Sequence, residues 1–179
     1  MSWLLVPVFM ALGCEKTMQP QSSVERGKYL VTIGGCHDCH TPKMQGANGA
    51  PVLDEKRLLS GHPKKAPSPA WKPGDLQARG AGAITSPMLT AWAGPWGVSF
   101  AINLTPDRET GIGEWSEEGF VRALRTGKHQ GQPNGREILP PMPWENYKQM
   151  TDDDLKAVWA YLRSIPAVKN QVPFPVPPG

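Results

Sequence analysis

Cysteine is scarce in this chain: 179 residues carry 3, two of them close together and the third, Cys14, near the start. A zinc ribbon needs a second cysteine pair, so that class is excluded. No strand–helix–strand alternation surrounds the pair, which removes the setting of a thioredoxin-like redox disulfide. Excess charge is also lacking. With 19 basic and 16 acidic residues the formal net charge is +3. Neither a basic helix nor basic residues interleaved with aromatics occur, so no nucleic-acid partner is expected. The apolar run Trp3 to Leu12 is too short to span a bilayer as a helix. Glycine and proline, at 19 and 20 residues, are abundant, and much of the chain is therefore expected to be loop.

What is present is concentrated in Cys36-His37-Asp38-Cys39-His40. Two thiols three positions apart, followed at once by an imidazole, are the signature of c-type haem attachment. Each thiol can add to one vinyl group on the same edge of a porphyrin. His40 then lies under the ring, where its nitrogen can serve as proximal iron ligand. The motif occurs in a single copy, so one covalent haem c is expected. His37 and Asp38 stand between the thiols and are assigned no role.

Residues 1–13 are expected to form a leader and 14–24 a polar tether. The leader ends in Ala11-Leu12-Gly13-Cys14, which resembles the lipobox of bacterial lipoproteins. That resemblance implies a lipidated Cys14 as mature N-terminus. No Lys or Arg precedes the apolar run, a departure from the usual export signal. The expected location is the periplasm or the extracytoplasmic face of the cell membrane. Bacterial haem attachment outside the cytoplasm agrees with this.

Three helices are expected. The first starts near Glu25 with Ser22 or Ser23 as cap, places Tyr29, Leu30 and Ile33 on one face, and ends at Gly34-Gly35. Gly27 inside it costs about 1 kcal/mol relative to alanine, which points to close approach by another element. Ser116 caps a second helix, with Phe120, Val121 and Leu124 inward and Gly127 at its end. The third begins at Thr151-Asp152-Asp153-Asp154, buries Leu155, Val158, Trp159 and Leu162, and stops before Pro166. It is the expected partner of the first helix, crossing it at Gly27.

A second axial ligand must come from Met44, Met88, Met142, Met150, His62 or His129. Met142 is preferred. It stands in Leu139-Pro140-Pro141-Met142-Pro143-Trp144, where the prolines fix the backbone and leave little to order. The interval from His40 to Met142 holds a long Pro/Gly-rich insertion, residues 42–100, expected to be an irregular lobe that shields the ring. Trp71, Trp92 and Trp96 argue against its being disordered. Between residues 41 and 80 seven basic residues face three acidic ones, a surface suited to an acidic redox partner. Residues 166–179 form a Pro-rich tail, an extended strap or linker.

Most of residues 25–165 resembles a bacterial c-type cytochrome group. The resemblance is carried by Asn103-Leu104-Thr105-Pro106-Asp107, Gly111-Ile112-Gly113-Glu114-Trp115-Ser116, Phe120 through Gly127, Pro141-Met142-Pro143-Trp144 and Leu155 through Ser164. It implies a mainly α, class I-like cytochrome c fold over residues 25–165. It supports Cys36, Cys39, His40 and Met142 as haem-binding residues, with Asn103, Thr105 and Trp115 near the pocket. That group includes cytochrome subunits of periplasmic alcohol and aldehyde dehydrogenases, many with two or three haem motifs. The expected function is one-electron transfer, not catalysis, with a dehydrogenase, respiratory complex or oxidase as partner. A peroxidase-like enzyme or gas sensor with an open sixth position is the alternative, and it would need His62 or His129 as distal base. A cytochrome subunit inseparable from a larger complex is another.

Overall fold

The computed structural model describes residues 21–72 and 74–178. The leader, Cys14 and most of the tether lie outside the described residues. Helix α1, Ser23–Ile33, opens on a capping box in which Ser22 and Glu25 satisfy each other's backbone N–H groups. Helix α2, Cys36–His40, follows after the glycine pair. Helices α3 (Asp75–Arg79), α4 (Glu117–Thr126), α5 (Trp144–Tyr147) and α6 (Asp152–Ser164) complete the helical set. Ser116 and Thr151 cap α4 and α6, each side chain accepting a backbone N–H of the first turn.

The α1–α6 crossing organises the domain. A Cβ placed on Gly27 would sit 1.9 Å from the carbonyl oxygen of Ala157, so the helices touch backbone to backbone. That contact selects the buried face of α1: Gly27, Leu30 and Val31. Tyr29 and Ile33, which share an apolar face with Leu30 by spacing alone, are therefore turned outward, 49% and 61% exposed. On α6 the stripe Leu155, Val158, Trp159 and Leu162 is buried as expected. Helix α4 adds Phe120 to the same core, with Val121 and Leu124 half-buried against it, and Ala123 of that helix is also buried.

The insertion is more regular than its composition suggests. Strands β1 (Lys43–Gln45) and β2 (Pro51–Leu53) form an antiparallel hairpin. Strands β3 (Ile84–Thr85), β4 (Ala91–Gly94) and β5 (Gly97–Phe100) form a three-stranded antiparallel sheet. Ala91, Ala93, Val98 and Phe100 make a second small core, closed by Trp71 and Val172. Alanines at β4 leave room for those two bulky side chains, a pairing that only three-dimensional packing reveals. The tail runs as an extended strap: Val176 pairs with Val98 beside β5, and Val168 and Asn170 bond the loop that contains Thr105 and Thr110. Among the described residues, no helix is long and apolar enough to cross a membrane.

Candidate functional site

One cavity is bordered by residues from both ends of the domain: Cys36, Cys39 and His40 from α2, and Met142 from the loop before α5. Leu30, Phe120, Val158 and Leu162 of the main core supply much of its apolar wall, and Trp92, Ser99 and Phe100 of the insertion supply another side.

His40 is buried, and its Nδ1 lies 2.8 Å from the Ile102 carbonyl oxygen. A carbonyl can only accept, so Nδ1 carries the proton and Nε2 is left as the donor atom. Burial, partly offset by this bond, pushes the imidazole pKa down to about 4. The ring is thus neutral, the form that ligates iron. Burial likewise pushes the Cys36 thiol up to about 11 and raises Cys39. Both side chains are free of disulfide bonding.

The Met142 loop is fastened on three sides. The Ile138 N–H donates to the Gly127 carbonyl at 2.8 Å, just after α4. Gly127 adopts φ 67°, and any Cβ there would strike the Trp144 ring at 2.5 Å, so the indole lies flat on the glycine that ends α4. From the insertion, the Ser99 hydroxyl donates to the Pro140 carbonyl at 2.5 Å. Tyr147, on α5, donates its hydroxyl to the Gly34 carbonyl at 2.5 Å, tying the methionine loop to the turn ahead of α2.

The other ligand candidates separate clearly. Met44 is exposed on β1 and Met88 is half-buried in the insertion; neither borders the cavity. His62 is sealed elsewhere, its ring nitrogens bonded to the Thr90 hydroxyl at 2.9 Å and the Ala66 carbonyl at 3.3 Å. Met150 and His129 do border the cavity. Met150 packs against the main core, and the His129 ring stands edge-on to Trp115 at 5.4 Å between centroids.

Asn103 and Thr105 shape the loop. The Asn103 oxygen accepts from the Thr105 N–H and hydroxyl, and its amide donates to the Val168 carbonyl at 2.8 Å. Trp115 does border the cavity. Arg136 was not singled out from sequence, because an arginine in a polar turn looks like any solvated one. It lies where the main cavity meets a smaller, more polar one also bordered by Trp115 and His129. Its guanidinium donates to the Glu137 carbonyl at 3.2 Å and has no carboxylate partner among the described residues. Surrounding protein depresses its pKa without a compensating anion.

This donor set fits a porphyrin. Two thiols, a neutral imidazole and a thioether surround an apolar cavity, and an unpaired guanidinium stands at its polar rim, where carboxylates of a ring would need a counter-charge. Among the described residues no three His, Cys, Asp or Glu side chains gather as a metal-ion site, so a zinc reading finds no support.

Fold and cavity together define a small, mainly helical haem-carrying domain. The model of the Cytochrome c family matches residues 24–166, and the chain belongs to that family. It is 31% identical over 159 residues to the fructose dehydrogenase cytochrome subunit of Gluconobacter japonicus, covering 86% of this chain and 24% of that protein. The gluconate 2-dehydrogenase cytochrome c subunit of Pantoea cypripedii is 32% identical over 138 residues, 77% of this chain and 22% of its own. A diheme cytochrome c-type protein of Cereibacter sphaeroides is 29% identical over 147 residues, 81% of this chain and 36% of its own. The chain thus spans about a quarter to a third of these relatives. It is a cytochrome c electron-transfer domain, and the Gluconobacter and Pantoea relatives are by name cytochrome subunits of dehydrogenases.

Proposed function

We propose that this chain carries single electrons on one haem c, bound by thioethers at Cys36 and Cys39 with His40 and Met142 as axial ligands. It works outside the cytoplasm, tethered to the membrane by lipid on Cys14. Its electrons pass between a dehydrogenase or respiratory complex and an acceptor. The carrying observation is the single cavity that Cys36, Cys39, His40 and Met142 all border.

When bound, the haem supplies a one-electron ferric–ferrous couple. The chain does the rest. Ile102 holds the His40 ring in one tautomer and orientation. The proline-flanked loop holds the Met142 thioether with little left to order. The apolar wall excludes water, which disfavours the more highly charged oxidised form and raises the potential. Arg136 offers a propionate its counter-charge. A peroxidase-like or gas-sensing reading needs a distal base: His62 is committed to Thr90 and Ala66 away from the cavity, while His129 borders the cavity and stands edge-on to Trp115. Two relatives are cytochrome subunits of dehydrogenases, which favours one further reading, that the domain acts inside a dehydrogenase complex.

Matured protein tests the core of this. Its intact mass should show one covalent haem, and lipid on Cys14. Its oxidised spectrum should show the weak near-red sulfur-to-iron band, and its reduced form should ignore carbon monoxide. Met142→Ala should abolish the band and admit carbon monoxide. A band that survives Met142→Ala removes Met142 from the iron, and colourless protein removes the haem.

A further inference from the structure

Helix α2 is only five residues long, and its last residue is His40. Its C-terminal carbonyls find an unusual partner. Lys43 turns its ammonium back onto the carbonyl of His37 at 2.9 Å, that of Thr41 at 2.8 Å, and that of Asp38. An ammonium has three N–H donors, so all are used on backbone next to the haem-attachment residues. The acceptors bracket Cys39 and His40: Asp38 immediately precedes that pair and Thr41 immediately follows it.

Shape alone does not call for a cation here. Helix α4 closes on a glycine in the left-handed conformation with no charged side chain on its end carbonyls. Lys43, by contrast, is half-buried, has no carboxylate partner among the described residues, and is depressed in pKa by burial. Burying a charge without a counter-ion is costly. The negative end of the short helix offsets part of that cost. What the arrangement secures is a positive charge at fixed position against the backbone that carries Cys39 and His40.

Building on the haem reading above, we propose that Lys43 is a positioning residue of the electron-transfer centre, holding α2 in shape and providing a fixed charge that favours the reduced state. In the step concerned, one electron leaves a reduced protein partner and converts ferric to ferrous iron. The charge of the centre falls by one and no proton moves. A nearby cation therefore has more to stabilise after the electron arrives. Being half-buried, it is screened by salt less than an exposed one.

The test uses full-length, matured holoprotein with Lys43→Gln, Lys43→Arg and, as an exposed control in the neighbouring turn, Lys56→Gln. Glutamine keeps a donor toward the carbonyls and loses the charge; arginine keeps the charge and changes the fork. Midpoint potential is read at low and high salt, with the near-red band and intact mass confirming that haem and sixth ligand remain. Lys43→Gln should shift the potential downward by more than Lys56→Gln does, and the difference should persist at high salt. Lys43→Arg should stay near the parent. If Lys43→Gln and Lys56→Gln shift equally, or Lys43→Arg falls as far as Lys43→Gln, the charge role is overturned while the haem reading stands. A parent protein without haem would overturn the haem reading itself, and this inference with it.

Discussion

A single methyl group separates two opposing effects at Gly27. In an isolated helix, Gly27→Ala would stabilise by about 1 kcal/mol. In this protein the new Cβ would meet the Ala157 carbonyl oxygen at 1.9 Å and the Tyr161 Cβ at 2.8 Å. Two helices would have to move apart, and overpacking of this kind costs typically about 1–3 kcal/mol. The clash is with backbone, which cannot rotate away, so the penalty wins. Gly27→Ala is expected to lower the unfolding free energy by about 1 kcal/mol net in chemical denaturation; a gain would mean that α1 and α6 do not meet as described. The position was legible because a glycine within a well-capped helix asks for an explanation. Arg136 was not legible. Only its place on the border of two cavities distinguishes it from other exposed arginines, and those cavities are made by segments far apart in sequence.

Elements separate along the same line. Helices α1, α4 and α6 announce themselves through Ser22, Ser116 and Thr151 and through apolar spacing. Strands β3 to β5 do not, because strands of two to four residues rich in alanine and glycine carry too little alternation to be seen. Yet β5 has a specific task. The buried Ser99 hydroxyl takes the Trp96 indole N–H at 3.2 Å and donates to the Pro140 carbonyl at 2.5 Å, two residues before Met142. Ser99→Ala would leave both partners without this bond, a loss of about 0.5–1.5 kcal/mol for each of these part-buried bonds. The expected outcome in matured protein is a weakened near-red band and measurable carbon monoxide binding, with the haem still attached. Ser99→Thr, which keeps the hydroxyl, should retain the band. An unaltered band in Ser99→Ala would mean that the methionine loop holds itself without the sheet.

At the scale of the whole molecule the question is what joins the helical core to the insertion, since Leu59 alone of the insertion is buried in the helical cluster and the strands bury a separate one. The tail does much of it. Asn170 donates its side-chain amide to the carbonyls of Ser60 at 2.7 Å and His62 at 2.9 Å. Its side-chain oxygen accepts the Lys64 N–H at 3.2 Å, and its own N–H donates to the Thr110 hydroxyl at 3.0 Å. One residue thus ties the start of the insertion to the loop ahead of α4. The prolines of the tail point to an extended strap or linker but not to its anchor, because an asparagine among prolines gives no sign of which carbonyls it will find. Asn170→Asp is nearly isosteric and sharpens the test. It replaces two donors by an oxygen that repels the Ser60 and His62 carbonyls, while the bond from Lys64 survives. Stability should fall by about 1–3 kcal/mol, and amide exchange should quicken at residues 60–64 and 101–105 while α1 and α6 stay protected. Uniform acceleration across both helices would show that strap and core open as one unit, and no acceleration would show that Asn170 does not join them.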